Sequence, residues 1–244
     1  MSGPDYLLLE SGGLVHYFNG HPRSEHLDVT SPIAMTVCQS GINGWVLQDN
    51  GVVKTFGGSS HYGDLSTHPE AVGAVDIAAT PDGDGYWIID RTGAVFSYGA
   101  APYLGGVPQV TNSAGPSRAI VPTAKGNGYW IVDSSGGVCG FGEVRFHGSL
   151  ADVTSVAELD IVDFLLHPDG DGYWMLDHRG GVYAMGDTQY WGAPTETGPI
   201  DALAIVGTAD GYAVIDQRGA VFSFGRAVNR GSLAGLGRTV VAAC

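Results

Sequence analysis

Positive charge is scarce in this chain: 11 Lys and Arg stand against 25 Asp and Glu in 244 residues, a formal net charge of −14. A surface of that sign repels phosphate backbones and anionic lipid headgroups, so neither nucleic acid nor membrane is an expected partner. Charge of either sign is thin, at 15% of residues, which disfavours long solvated helices and disorder. Cysteine is rarer still. Cys38, Cys139 and Cys244 form an odd, sparse set with no CxxC spacing, and buried structural thiols are expected. Long apolar runs are missing too. Tyr6–Leu9 is too short for a signal core or a membrane span, and Met1–Asp5 has no basic residue, so no export leader or anchor is expected. The sequence has no Gly-x-Ser-x-Gly elbow, no His-Glu-x-x-His pair and no Walker loop, which argues against the hydrolase, zinc-protease and nucleotide-binding sites those motifs build.

Glycine is what the chain has in excess, at 39 residues within a 44% apolar composition. That combination suits short strands joined by tight turns. An internal repeat organises them. Gly85-Tyr-Trp-Ile-Ile-Asp90 returns as Gly128-Tyr-Trp-Ile-Val-Asp133, Gly172-Tyr-Trp-Met-Leu-Asp177 and Gly211-Tyr-Ala-Val-Ile-Asp216. Weaker copies precede them at Asp5–Glu10 and at Gly44–Gln48, the latter followed by Asp49. The acidic residues 10, 49, 90, 133, 177 and 216 lie 39, 41, 43, 44 and 39 positions apart. Six copies at this period imply a stacked or closed repeat architecture.

Each unit reads as an antiparallel meander of strands A, B, C and a short D. Strand B, Tyr86–Ile89 in the clearest copy, is apolar on both sides of its pleat, as in a sheet covered on both faces. Asp90-Arg-Thr-Gly93 makes the B–C turn, Ala94–Tyr98 is strand C, and strand D lies around Tyr103–Gly105. Strand A precedes strand B, as in Val75–Ala79 and Ile161–Leu165. The chain begins at a strand B and ends at Thr239–Cys244, which has strand A character. The expected fold is therefore all-β, a single six-bladed β-propeller over residues 1–244 closed by pairing the C-terminal strand with the N-terminal strands. The closing blade combines 239–244 with 5–28. An open solenoid would instead carry capping repeats.

The phrase Ala79-Thr-Pro-Asp-Gly-Asp-Gly-Tyr-Trp-Ile-Ile-Asp-Arg-Thr-Gly-Ala-Val-Phe-Ser-Tyr-Gly99 resembles the Gly-Tyr-Trp repeat of actinobacterial surface proteins and of minor tail proteins of their phages. The copies from residue 80 onward follow that pattern, the first two follow it in outline, and Asp90 replaces the family's Ala-Ser before the turn. The resemblance implies a non-enzymatic binding or structural module working outside a bacterial cell. With no leader expected, it implies a virion protein of the phage tail, made in the host cytoplasm and contacting tail partners or host cell-envelope glycan. The alternatives are a propeller hydrolase or lyase with carboxylates at the channel mouth, and a cytoplasmic protein-interaction scaffold.

Candidate sites follow from the turns. Asp82-Gly-Asp84-Gly and Asp169-Gly-Asp171-Gly put two carboxylates around a glycine, a pattern able to share Ca²⁺. The third copy reads Lys125-Gly-Asn-Gly128, however, so plain A–B turns are preferred and no cofactor is expected. The eight histidines are scattered, and His16, His21 and His26 fit no single strand face. Trp87, Trp130 and Trp174 share one strand B position and are expected to pack between blades. Tyr62, Tyr103, Phe146 and Tyr190-Trp191 fall in the D segments, where aromatics can stack on sugar rings or cover blade edges, and edge cover is preferred. Length variation concentrates in the D–A connections, which emerge beside the B–C turns, and loops on a rigid scaffold are where binding resides. That face is expected to present Asp76, Arg118, Asp163, Asp201 and Arg238 at the channel mouth. The B–C turns add Arg91, His178, Arg179 and Arg218, with loops 106–117 and 149–160 beside them.

Overall fold

The computed structural model describes residues 6–18, 23–38, 41–110, 115–150, 159–196, 198 and 200–244. Asp5, His21 and most of the tips of loops 106–117 and 149–160 therefore lie outside the described residues. The chain opens with β1 (Tyr6–Glu10), β2 (Leu14–Phe18) and β3 (Arg23–His26). Three strands per repeat follow: β4 (Pro32–Val37), β5 (Gly44–Gln48), β6 (Val53–Phe56); β7 (Ala74–Ala79), β8 (Gly85–Asp90), β9 (Val95–Gly99). Next come β10 (Ser117–Pro122), β11 (Gly128–Asp133), β12 (Val138–Gly142); β13 (Ile161–Leu166), β14 (Gly172–Asp177), β15 (Val182–Gly186). The last are β16 (Ala202–Thr208), β17 (Gly211–Asp216), β18 (Val221–Gly225) and β19 (Val240–Ala243). These 19 strands form six antiparallel sheets, five of three strands and one of four in the order β19-β1-β2-β3. The arrangement is consistent with a β-propeller. No helix among the described residues is long and apolar enough to cross a membrane.

The middle strand of every sheet is buried along its whole length, so each sheet is covered on both faces, as its two-sided apolar sequence requires. Neighbouring sheets share the core. Trp87 packs with Tyr129, Ile120 and Ile131 of the next repeat, and Trp174 packs with Ile205 and Tyr212. The first strands of the sheets touch in the order β4, β7, β10, β13, β16, β19 and again β4. β19 pairs with β1 in antiparallel register, Leu8 opposite Ala243.

Among the described residues the expected D strand forms in one sheet only, as β3. The other D segments spend their backbone polar groups on side chains instead of a ladder. Trp45, Trp87, Trp130 and Trp174 donate their indole N–H to the carbonyls of Ser60, Pro102, Arg145 and Gln189. A tyrosine of the following repeat completes the hold. The Tyr129 hydroxyl donates to the Gly105 carbonyl and accepts from the Leu104 N–H. Tyr86, Tyr173, Tyr212 and Tyr6 bond in the same way to Gly63, Gly148, Gly192 and Gly231. At β3, Arg23 donates to the Ile42 carbonyl just before β5, where register places Trp45 opposite Thr36 as Trp87 stands opposite Ala78. Gly44 therefore stands where the tyrosine would, and β3 pairs with β2 instead. The same register gives the buried acidic position of this repeat to Gln48, not to Asp49 as the spacing implied.

The conserved-looking turn chemistry has a direct cause within this one chain. Asp90 Oδ1 accepts the N–H groups of Thr92 and Ala94 at 2.9 and 3.1 Å. Asp133, Asp177 and Asp216 bond residues two and four further on in the same way. These are Asx-type turns, with glycine supplying the positive φ, 77° at Gly93. Each B–C turn is then tied to its surroundings on both sides. Gly93 O accepts from Val107 N in the D–A connection, and Arg91 O accepts from Ser117 N at the start of β10.

Candidate binding site at the channel mouth

Every first strand begins with the same irregularity. Ala74 faces Asp90 but Asp76 faces Ile89, so Val75 is an extra residue, a β-bulge. The register places the other bulged residues at Ile33, Arg118, Val162, Leu203 and Val241. All six line one central cavity of about 290 Å³. Five are apolar and one is arginine.

The residue after each bulge is alanine in four sheets and aspartate in two, Asp76 on β7 and Asp163 on β13. Asp76 Oδ1 accepts the N–H of Ile77 at 2.8 Å, and its Oδ2 accepts the N–H of Ile120 on β10 at 2.9 Å. Asp163 repeats the device, accepting from Phe164 and from Ile205 on β16, both at 2.8 Å. Each carboxylate thus staples its own sheet to the next. Both are partly open to the cavity lumen but walled by protein on all sides. That enclosure pushes both carboxyls up to about 7, against the pull of the N–H bonds, and the charge of Asp163 adds to the rise at Asp76. Cys244 lies in reach of both; burial first, then their charges, pushes its thiol up to about 12. At the rim, Arg118 Nη2 donates to Asp160 Oδ1 at 2.7 Å.

The sequence-selected residues divide into groups. Asp76, Arg118 and Asp163 line the central cavity. Asp201 does not; it borders a separate small pocket with Ile200, Asp216 and Arg218. Arg238 is drawn away as well, to Glu10 at 3.0 Å, an acid that also holds His16 at 2.5 Å. Arg91, Arg179 and Arg218 are exposed on the B–C turns, and half-buried His178 accepts from Arg179 Nε at 3.4 Å. Asp82, Asp84, Asp169 and Asp171 are exposed on the opposite face. Thr80 Oγ1 organises the first of those turns, accepting from the Asp84 and Gly85 N–H groups and donating to Asp84 Oδ1. Among the described residues no group of three His, Cys, Asp or Glu converges on a metal position.

Two further expectations change. The cysteines are half-buried, not buried, though burial raises the thiols of Cys38 and Cys139. Trp87, Trp130 and Trp174 do pack between sheets, at 0, 3 and 0% exposure, but the D-segment aromatics split. Tyr62 covers an edge against Trp45 and Tyr86, whereas Tyr103, Phe146 and Tyr190 are 52, 57 and 45% exposed. The tyrosine clasps explain why: the D backbone is already held by the neighbouring sheet, so these rings are not needed to hold it. The cross-sheet role of Asp76 and Asp163 was not legible within one repeat. Its signal is an acid inside an apolar strand A, where the other repeats have alanine.

No protein-family model and no curated protein sequence matches the chain.

Proposed function

We propose that the chain is a single closed six-bladed β-propeller acting as a non-enzymatic binding module through the face that carries its B–C turns. The observation that supports this reading most is the cavity to which all six first strands contribute, opening beside exposed arginines on an otherwise acidic protein. A rigid scaffold with variable loops at one face is the usual setting for recognition. The setting comes from the repeat: its resemblance to actinobacteriophage minor tail proteins favours a virion location, with tail proteins or host cell-envelope glycan as partners. No calcium role is part of this reading; the Asp82-Gly-Asp84 turn is organised by its own Thr80.

A propeller hydrolase or lyase is the second reading, favoured by the near-neutral carboxyls of Asp76 and Asp163. Against it, both oxygens of each carboxyl already accept backbone N–H groups. A proton-transfer role would require breaking a bond that holds two sheets together.

The binding face is tested by charge reversal. Arg179→Glu with Arg218→Glu is expected to weaken binding to isolated tail proteins or envelope glycans at least tenfold while leaving the melting temperature nearly unchanged, since exposed turn charges add little stability. Asp82→Lys with Asp171→Lys, on the other face, is expected to change binding little. Binding lost in the second variant and kept in the first would reverse the assignment of the face.

A further inference from the structure

The six first strands present a ring of inward N–H groups, and the two aspartates account for only four of them. In each sheet the residue two after the bulge faces its partner in a pair that exchanges no backbone bonds, so its N–H points to the cavity side. These residues are Met35, Ile77, Ile120, Phe164, Ile205 and Ala243. The parity is fixed at Met35 by the Cys38-to-Asn43 bond and at Ala243 by the Leu7-to-Cys244 bond, which set the bonded pairs at alternate positions. Asp76 serves Ile77 and Ile120; Asp163 serves Phe164 and Ile205. The third carboxylate of this series would stand on β19, at Ala242, and would serve Ala243 and Met35. β19 and β4 are in contact as β7 and β10 are. The register leaves the N–H groups of Met35 and Ala243 outside the β4–β5 and β19–β1 ladders.

We infer that the cavity binds a small organic carboxylate between the N–H groups of Met35 and Ala243, in the position that the side chains of Asp76 and Asp163 take in the other sheets. Three observations converge on this ligand chemistry. The two donors are spaced by the same strand geometry that elsewhere in the ring receives one carboxylate across two N–H groups. The side chain at the third position is a methyl, and Met35, Ala242 and Ala243 all line the cavity, so an acid of acetate size has room beside it. Arg118 lines the same cavity, and its buried Nε–H has no acceptor among the described residues. This goes beyond partner binding at the outer face, because the ligand lies inside the ring.

The neighbouring charges set the pH dependence. Asp76 faces the cavity from β7, Arg118 from β10, Asp160 and Asp163 from the start of β13, and Cys244 follows β19. β4 and β16 contribute only apolar side chains. A third carboxylate is repelled while Asp76 and Asp163 are ionised and accommodated once they are protonated, so binding tightens as the pH falls from 8 to 6.

The test uses the intact chain with formate and acetate as probes, and acetamide and chloride at matched ionic strength as controls. Acetate is expected to raise the melting temperature saturably at pH 6 and to move the amide resonances of Met35 and Ala243 together. Ala242→Asp supplies the carboxylate from the chain and should abolish the response. Asp76→Ala opens an equivalent place at Ile77 and Ile120, so acetate should recover part of the stability this variant loses. The inference is overturned if wild type gives no saturable response, if chloride reproduces it, or if it survives Ala242→Asp. Should Ala242→Asp not fold, acetate-induced shifts elsewhere but not at Met35 and Ala243 overturn it equally.

Discussion

Deleting Thr239–Cys244 is expected to abolish the cooperative thermal transition. The deletion removes β19, whose register with β1 joins the last residues of the chain to the first strand. β1 is wholly buried, and without β19 its inner edge of N–H and C=O groups would face the cavity with nothing to bond. The cavity would also lose Val241, Ala242 and Ala243 from its wall, and β4 and β16 would lose the neighbour between them. Few single losses in a small domain combine an unpaired buried strand with an opened core. A truncated protein that melts within a couple of degrees of the full chain would show that the sheets stand as a linear array.

The second large effect is on pH. Stability is expected to fall as the pH rises from about 4 to about 7. An unfolded aspartate releases its proton near ~3.9, whereas Asp76 and Asp163 in the folded protein hold theirs up to about 7. Between those values the folded state binds more protons than the unfolded state, so raising the pH favours unfolding. Below pH 4 the contribution is fully present, and above 7 it is spent. Asp64 and Glu70 are shifted downward; their contribution is lost only as the pH falls through the acid range. Urea melts across pH 4–8 separate the two. Asp76→Asn with Asp163→Asn should be less stable at low pH, because each amide can accept one N–H and presents a donor to the other. It should also lose most of the slope between 4 and 7. An unchanged slope in that double variant would mean the carboxyls titrate in their ordinary range.

The parts of this fold that sit inside one repeat were open to sequence reading. Gly85–Asp90 carries its own strand pattern, and Asp90 with Gly93 writes its own turn. What escaped depends on how one repeat meets the next. Among the described residues β3 alone completes a fourth strand, in the repeat junction where Gly44 replaces the tyrosine and Gln48 takes the buried polar position that spacing gave to Asp49. The bulges are equally hidden, since Val75, Arg118 and Leu203 look like ordinary strand residues until the register is known. Asp76 and Asp163 of the first strands line the cavity. Asp201 precedes β16 and borders a different pocket, a separation that spacing alone does not show.

Ring closure rests on the junction of β19 with β1, and native-state hydrogen exchange at Leu7 and Cys244 reads that junction without altering the chain. Their N–H groups bond each other's carbonyls at 2.8 and 3.3 Å. A closed ring predicts that both amides exchange only through global unfolding, with the same free energy as the middle-strand amides of β8 and β14. Exchange at Leu7 and Cys244 that is orders of magnitude faster than in β8 and β14 would contradict closure.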